Sequence, residues 1–180
     1  MKYMFASDVH GSAYYCRKML DAYRDEKAER LVLLGDLLYH GPRNDLPREY
    51  APKEVIAMLN DMKKEIYAVR GNCEAEVDQM VLQFPVMADY CILNLDGRTF
   101  YATHGHIYNE TNLPPIQEGD ILIHGHTHVL RAEQREGYVI LNPGSVSIPK
   151  EGNPPTYVVF EEGGFMIKDF EGNIVKSISL

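Results

Sequence analysis

Apolar positions change their spacing several times along this chain, and each change marks an element. The run "KYMFAS" (2–7) has strand length and stops at Asp8, as a strand buried on both faces would. "AYYCRKMLDAYRDE" (13–26) spaces Tyr15, Met19, Ala22 and Tyr23 along one helical face, with Ser12 ahead of it as N-cap. "LVLL" (31–34) is a second buried strand, ending at Gly35-Asp36. Pro52 then opens a helix through "KEVIAMLNDMKK", whose Val55, Ile56, Leu59 and Met62 form its apolar stripe. "IYAV" (66–69) is a third strand. Residues 39–51 hold two prolines and no period, which predicts a long loop of the kind that tends to carry function.

Beyond residue 90 the apolar period becomes two. "YCILNLDGRTFYATHGH" predicts a hairpin around Asp96-Gly97, and "EQREGYVILNPG" a second. "YVVFEEGGFMIKDFEGNIVKSISL" adds turns at Gly163-Gly164 and Gly172-Asn173. Strands alternating with helices imply a right-handed parallel sheet, and the antiparallel second half implies another. The expected fold is α/β: two mixed sheets packed face to face with helices outside. No linker or repeat interrupts residues 1–180, so one domain is expected. The apolar "YVVF" (157–160) reads as an edge strand that could pair with a second copy, making a homo-oligomer possible.

Composition narrows the function. A net charge of −8 with scattered acids leaves no basic face to neutralise a nucleic acid backbone. A small phosphate-bearing substrate stays open, because bound cations would invert the local field. The opening "MKYMFASDVH" is too short for a signal-peptide core, and no stretch approaches the roughly 18 apolar residues of a membrane span. Cys16, Cys73 and Cys91 are odd in number and widely spaced, which argues against a disulfide framework and for a reducing compartment. A soluble cytoplasmic protein is expected.

The candidate chemistry sits where the strands end. "ILIHGHTHVLR" (121–131) places three of the seven histidines at alternate positions, which suits either a solvated tip or a metal site. The other strand ends carry Asp8-Val9-His10, Gly35-Asp36, Gly71-Asn72-Cys73-Glu74 and His104-Gly105-His106. Carboxyl ends of parallel strands lie at one edge of a sheet, where ligands bind. Carboxylates, an amide oxygen and imidazoles together suit borderline divalent metals such as Mn, Fe or Zn.

In this order, "DVH", "GD", "GNCE", "THGH" and "GHTH" resemble the blocks of the calcineurin-like metallophosphoesterase superfamily. "ASDVHGS", "LGDLLYHGPRN", "VRGNCE" and "GHTHV…LNPGSVSIPKEGNP" resemble its small bacterial and archaeal phosphodiesterases of the YfcE type, over about the first 155 residues. The resemblance implies a four-layer α/β/β/α sandwich carrying two divalent ions, with manganese first and iron, zinc, nickel or magnesium as alternatives. It implies Asp8, His10, Asp36 and His128 around one ion, and Asp36, Asn72, His104 and His126 around the other. The implied activity is a phosphodiesterase in which a hydroxide bridging the ions attacks a small phosphodiester in line. Asp36, His10 and Asn72 are then the candidate catalytic residues; Arg43, Asn72 and His106 are the candidate substrate contacts.

Several positions fall outside that scheme. His124 is expected to be structural. Where most of the superfamily has histidine after Gly-Asn, this chain has Cys73. As a chemical group its thiol is a poor proton donor to an alkoxide, which predicts a preference for good leaving groups, or His10 or a metal-bound water as the acid; a small buried residue without chemistry is the plain alternative. "NPGS" (142–145) reads as a turn, with shaping of the cleft the weaker reading. The tyrosines at 14, 15, 23 and 39 are expected to pack the first helix and the loop. Rival functions are a phosphomonoesterase or protein phosphatase on the same ligands, a scaffold of the same fold, and a nuclease subunit. The scaffold reading predicts lost ligands, and none of the seven is lost.

Overall fold

The computed structural model describes residues 1–180. Three short strands, β1 (Tyr3–Ala6), β2 (Arg30–Leu33) and β3 (Ile66–Ala68), run parallel and are joined by α1 (Ala13–Glu26) and α2 (Pro52–Asp61). Ser12 caps α1 as expected: its Oγ accepts from the Tyr15 N–H at 3.2 Å and donates to the Arg48 carbonyl at 2.6 Å, tying the helix to the 39–51 loop. Pro52 occupies the first turn of α2, where its missing N–H costs nothing. A short α3 (Glu76–Val81) follows, which no periodicity predicted; none of its residues is buried, so no apolar stripe was needed.

Eight further strands complete the chain: β4 (Tyr90–Leu95), β5 (Arg98–Thr103), β6 (Asp120–His124), β7 (Arg131–Gln134), β8 (Tyr138–Asn142), β9 (Thr156–Glu161), β10 (Gly164–Asp169) and β11 (Ile174–Ser179). They form two mixed sheets, in the orders β11-β10-β9-β1-β2-β3 and β4-β5-β6-β8-β7. The second half of the chain is thus divided between the sheets. β9 pairs antiparallel with β1, Tyr3 opposite Phe160 and Phe5 opposite Val158. That corrects the reading of "YVVF": Tyr157, Val158, Val159 and Phe160 are all buried in a strand with partners on both sides. Four consecutive apolar residues need two covered faces, which an interior strand provides. The β9–β10 turn lies one residue earlier than expected. Glu162 and Gly163 take φ of 51° and 74°, as Asp96 and Gly97 take 49° and 78°, the paired left-handed conformation of a tight hairpin.

The core lies in layers. Met4, Ala6, Leu31 and Leu33 face Cys16, Met19 and Leu20 of α1 and Val55 and Leu59 of α2. Phe5, Phe100, Phe160 and Phe165 fill the space between the sheets with Ile121, Ile123 and Leu141. Phe100 meets Phe160 edge-on at 5.1 Å between centroids and Phe5 in a stack at 6.1 Å. On the outer face of the second sheet, Tyr101, Leu122 and Ile140 are covered by Ile116 and Tyr138. The covering layer there is the non-helical segment before β6, held by the Tyr101 hydroxyl donating to the Pro115 carbonyl at 3.1 Å. No helix is long and apolar enough to cross a membrane.

Candidate metal centre and active site

The carboxyl ends of β1, β2, β3, β5 and β6 meet at one edge of the sandwich. Backbone bonds lace the loops that leave them: Asp8 N–H to Gly35 O at 3.1 Å, His10 N–H to Asp36 O at 2.9 Å, and Gly125 N–H to His104 O at 2.9 Å. Ten non-glycine residues have positive φ, and five of them are Asp8, His10, Asp36, His126 and His128. Such backbone is unfavourable for side chains bearing Cβ and collects where function demands it. Here it turns each chain abruptly at the strand end, so that side chains from separate loops face one another.

Three imidazoles are fixed the same way. His10 Nδ1 lies 2.7 Å from Tyr39 O, His104 Nδ1 2.7 Å from Leu34 O, and His128 Nδ1 2.7 Å from Ile148 O. A carbonyl only accepts, so each Nδ1 carries a hydrogen and each Nε2 is left facing inward, where it can ligate an ion once free of a proton. His10 Nε2 and His128 Nε2 stand 3.2 Å apart, and Asp8 Oδ1 lies 3.2 Å from the latter. Asp8 Oδ1 is buried with no hydrogen-bond partner. Facing ring nitrogens beside a buried carboxylate oxygen need positive charge between them, from protons or from a cation, and the donor set fits a divalent metal. Asp36 lies between the two halves, with Oδ2 3.8 Å from His10 Nε2 and 3.5 Å from His104 Nε2. Asn72 Oδ1 is 3.1 Å from His104 Nε2. The His126 ring packs 5.1 Å from that of His104, and its backbone N–H donates to Asp8 Oδ2 at 3.1 Å. All seven expected ligands are therefore brought together.

Without ions the electrostatics are those of a crowded buried site. Burial alone would lower the pKa of His104, but Asp36 and Asp8 outweigh it and push the group up to about 9. Burial opposes ionisation of Asp8, yet His10 and His128 hold it well below the usual carboxylate range. His126 moves the other way, lowered by burial and by His104.

The cleft over this centre has a volume of about 430 Å³. Arg43 lines it, and so do Asn44, Cys73, Thr127 and Lys150. Burial first, and Asp36 second, drive the Cys73 thiol far above its ordinary pKa, so it stays protonated. His106 lies off this cleft, in a smaller chamber beyond His126. Tyr39 is exposed at the loop, while Tyr23 is buried against the core and Tyr14 meets Tyr15 edge-on beneath Arg48.

Sequence reasoning missed the residue that joins the two halves. Glu74 is buried and accepts from three backbone N–H groups: Asp36 at 2.8 Å, Leu37 at 2.7 Å and Gly71 at 2.6 Å. It locks the Asp36 loop to the Asn72 loop. Its signal was present as the last letter of "GNCE". The "NPGS" turn also does more than turn: Ser145 Oγ donates to Asp8 O at 2.9 Å and Asn142 Nδ2 to Gly125 O at 2.8 Å. Gly125 has no space for a side chain, since a Cβ would lie 1.9 Å from Ser7 Oγ and 2.6 Å from Asp8 Oδ2.

A family model described as the calcineurin-like phosphoesterase superfamily domain matches residues 1–163. The chain belongs to this superfamily. It is 49% identical over 157 residues to phosphodiesterase YfcE of Escherichia coli, covering 87% of this chain and 85% of that one. A phosphodiesterase of Methanocaldococcus jannaschii is 25% identical over 152 residues, covering 80% and 83%. Among solved structures, the E. coli phosphoesterase YfcE superposes with a TM-score of 0.97 at 43% identity over 99% of both chains. A Vps29 variant of Entamoeba histolytica superposes at 0.61 and 21% identity over 93% and 90%, a likeness of fold alone. Phosphoesterases of this superfamily use divalent metals, and ligand atoms crowd together in three overlapping clusters here, Asp8–His10–His128, Asp8–Asp36–His104 and His10–Asp36–Cys73.

Proposed function

We propose that this phosphoesterase is a metal-dependent phosphodiesterase acting on small phosphodiesters in the cytoplasm. One observation carries the reading: buried, carbonyl-oriented imidazoles converge with the unpartnered Asp8 oxygen in a chain 49% identical to a phosphodiesterase. Asp8, His10, Asp36 and His128 would hold one ion, and Asp36, Asn72, His104 and His126 a second. Manganese is the first candidate for both, because mixed oxygen and imidazole donors suit borderline divalent metals. When bound, such ions lower the pKa of water and offset charge developing at phosphorus.

The chain's own residues orient the substrate. Asp36 has Oδ1 held by the Cys73 N–H at 2.9 Å, which leaves Oδ2 turned toward both histidine pairs. Asn72 presents its oxygen toward His104 and donates one NH₂ hydrogen to Cys73 Sγ at 3.3 Å, which leaves the other free to donate to a phosphate oxygen in the cleft that it lines. Arg43 and Lys150 bring positive charge to the rim. His10 has its Nδ1–H committed to Tyr39 and its Nε2 facing carboxylates, so it serves as a ligand. In the metal-free site burial and Asp36 raise the Cys73 pKa, which makes this thiol a poor proton donor, and water is the donor we assign to the leaving group.

The test uses metal-stripped protein, an aryl phosphodiester and the matching monoester, Mn²⁺ added back, and Asp36→Asn as control. Metal-dependent turnover of the diester, absent from the control, is expected. Turnover of the monoester alone would replace the reading with a phosphomonoesterase.

A further inference from the structure

Each sheet has two outer strands, β3 and β11 in the first and β4 and β7 in the second. An outer strand offers a row of free N–H and C=O groups that another chain can pair with, and proteins guard such edges with shortness, charge or irregularity. β3 has only three residues. β7 carries Arg131 and Glu133, which pair with each other and with Glu110 and Arg135. β11 carries Lys176, and its register with β10 shifts between Ile167 and Lys168. β7 and β11 also lie against each other across the sandwich.

β4 has none of these guards. Its six residues, "YCILNL", include no charge and no proline, and they keep one unbroken register with β5. No backbone group of Tyr90–Leu95 is bonded outside that ladder. The strand is also incompletely covered. Cys91 and Leu93 pack on the core between the sheets yet stay partly exposed, while their partners on β5, Ala102 and Phe100, are fully buried. On the other face Tyr90 and Ile92 are 48% and 47% exposed.

We propose that β4 pairs antiparallel with β4 of a second copy of this chain across a two-fold axis, joining the two five-stranded sheets edge to edge. Such a contact is self-complementary and closes at two copies. Matching the sheet faces lets only residues of like parity stand opposite each other. The register that gathers the exposed apolar side chains puts Ile92 opposite its own counterpart and Tyr90 opposite Asn94. Charge selects a second copy as the occupant. Chains of net charge −8 repel one another, so two copies meet where charge is balanced. β4 is neutral, and Asp89 ahead of it is held by Arg70 at 2.6 Å. In this register Asp96 of one copy falls opposite Ala88 of the other, whose carbonyl accepts from the Arg70 N–H at 2.8 Å. An acid at one strand end thus meets a base at the other. None of Tyr90–Leu95 lines the metal cleft, so the pairing leaves it open.

The experiment measures the mass of Mn²⁺-loaded protein by light scattering after size-exclusion chromatography, over a range of concentrations. Twice the chain mass is expected. Ile92→Lys sets like charges face to face at the axis and should halve that mass, while Val175→Lys, on the outer strand β11, should leave it doubled. A monomer in the unmodified protein, or a dimer that survives Ile92→Lys, overturns the proposal. Should Ile92→Lys fail to fold, Ile92→Cys in a Cys91→Ser background decides. Residues directly opposite in antiparallel strands are close enough for a disulfide. Diamide, which is reduced as it takes two thiols to a disulfide, should therefore join two copies through residue 92. Peptide mass mapping that finds no link between the two residues 92 overturns the proposal.

Discussion

At the scale of single residues, the site depends on groups that never touch substrate. Glu74 takes three backbone N–H bonds with two carboxylate oxygens inside the protein. Glu74→Gln replaces one oxygen by an NH₂ that faces donors, so bonds are lost and a repulsive contact is gained. The expected cost is about 2–3 kcal/mol of stability and at least ~10-fold in metal affinity. Chemical denaturation and metal analysis would measure the two; unchanged metal affinity would show that Asp36 and Asn72 hold their places without it. Cys73 invites the opposite change. It lines the cleft as a protonated thiol of high pKa, so Cys73→His introduces an acid that titrates near neutrality. Alkyl diesters, whose leaving groups need a proton, should gain relative to aryl diesters. An unchanged alkyl-to-aryl rate ratio would sink that expectation.

At the scale of elements, strands that end in an abrupt turn deliver the ligands, and small residues make the turns possible. Gly125→Ala would drive a Cβ into Ser7 Oγ and toward Asp8 Oδ2, an overpacking expected to cost about 1–3 kcal/mol and to loosen the metal centre with it. Ser12→Ala, which removes the cap of α1, should cost about 1 kcal/mol and leave metal affinity unchanged. Thermal unfolding with and without metal separates the two outcomes. The same contrast explains what the sequence made legible. Strands β1, β2 and β6 are apolar runs cut off by Asp, Gly or His, and β3 is one cut off by Arg70-Gly71, so period and interruption marked both the element and the site. The destination of β9–β11 was not legible, because an apolar strand does not say which sheet it joins; only its pairing with β1 decides that. Nor were the positive φ values at Asp8, His10, Asp36, His126 and His128, since Asp and His tolerate the left-handed region better than most side chains but do not require it. They arise from bonds between loops, such as His10 N–H to Asp36 O, that form only when the sheets are assembled.

At the scale of the whole molecule, metal binding and folding are coupled through protons. In the metal-free protein His104 titrates at about 9, held there by Asp36 and Asp8 against the effect of burial. An unfolded histidine titrates near 6.5. The charged pair therefore stabilises the metal-free fold fully below about pH 6.5, and that contribution is lost as pH rises through about 9, on the order of 3 kcal/mol in all. Metal-stripped protein should melt at progressively lower temperature across that interval. Metal-loaded protein should not follow this course, because an imidazole that coordinates an ion has already given up its proton. Loading must release the His104 proton at neutral pH, so apparent metal affinity should climb with pH and level off near 9. Titration calorimetry at pH 7 in two buffers of different ionisation enthalpy would count the protons released. About one per site assembled around His104 is expected; none would mean that His104 is already neutral in the metal-free fold, and that the carboxylates and imidazoles await the metal without a proton between them.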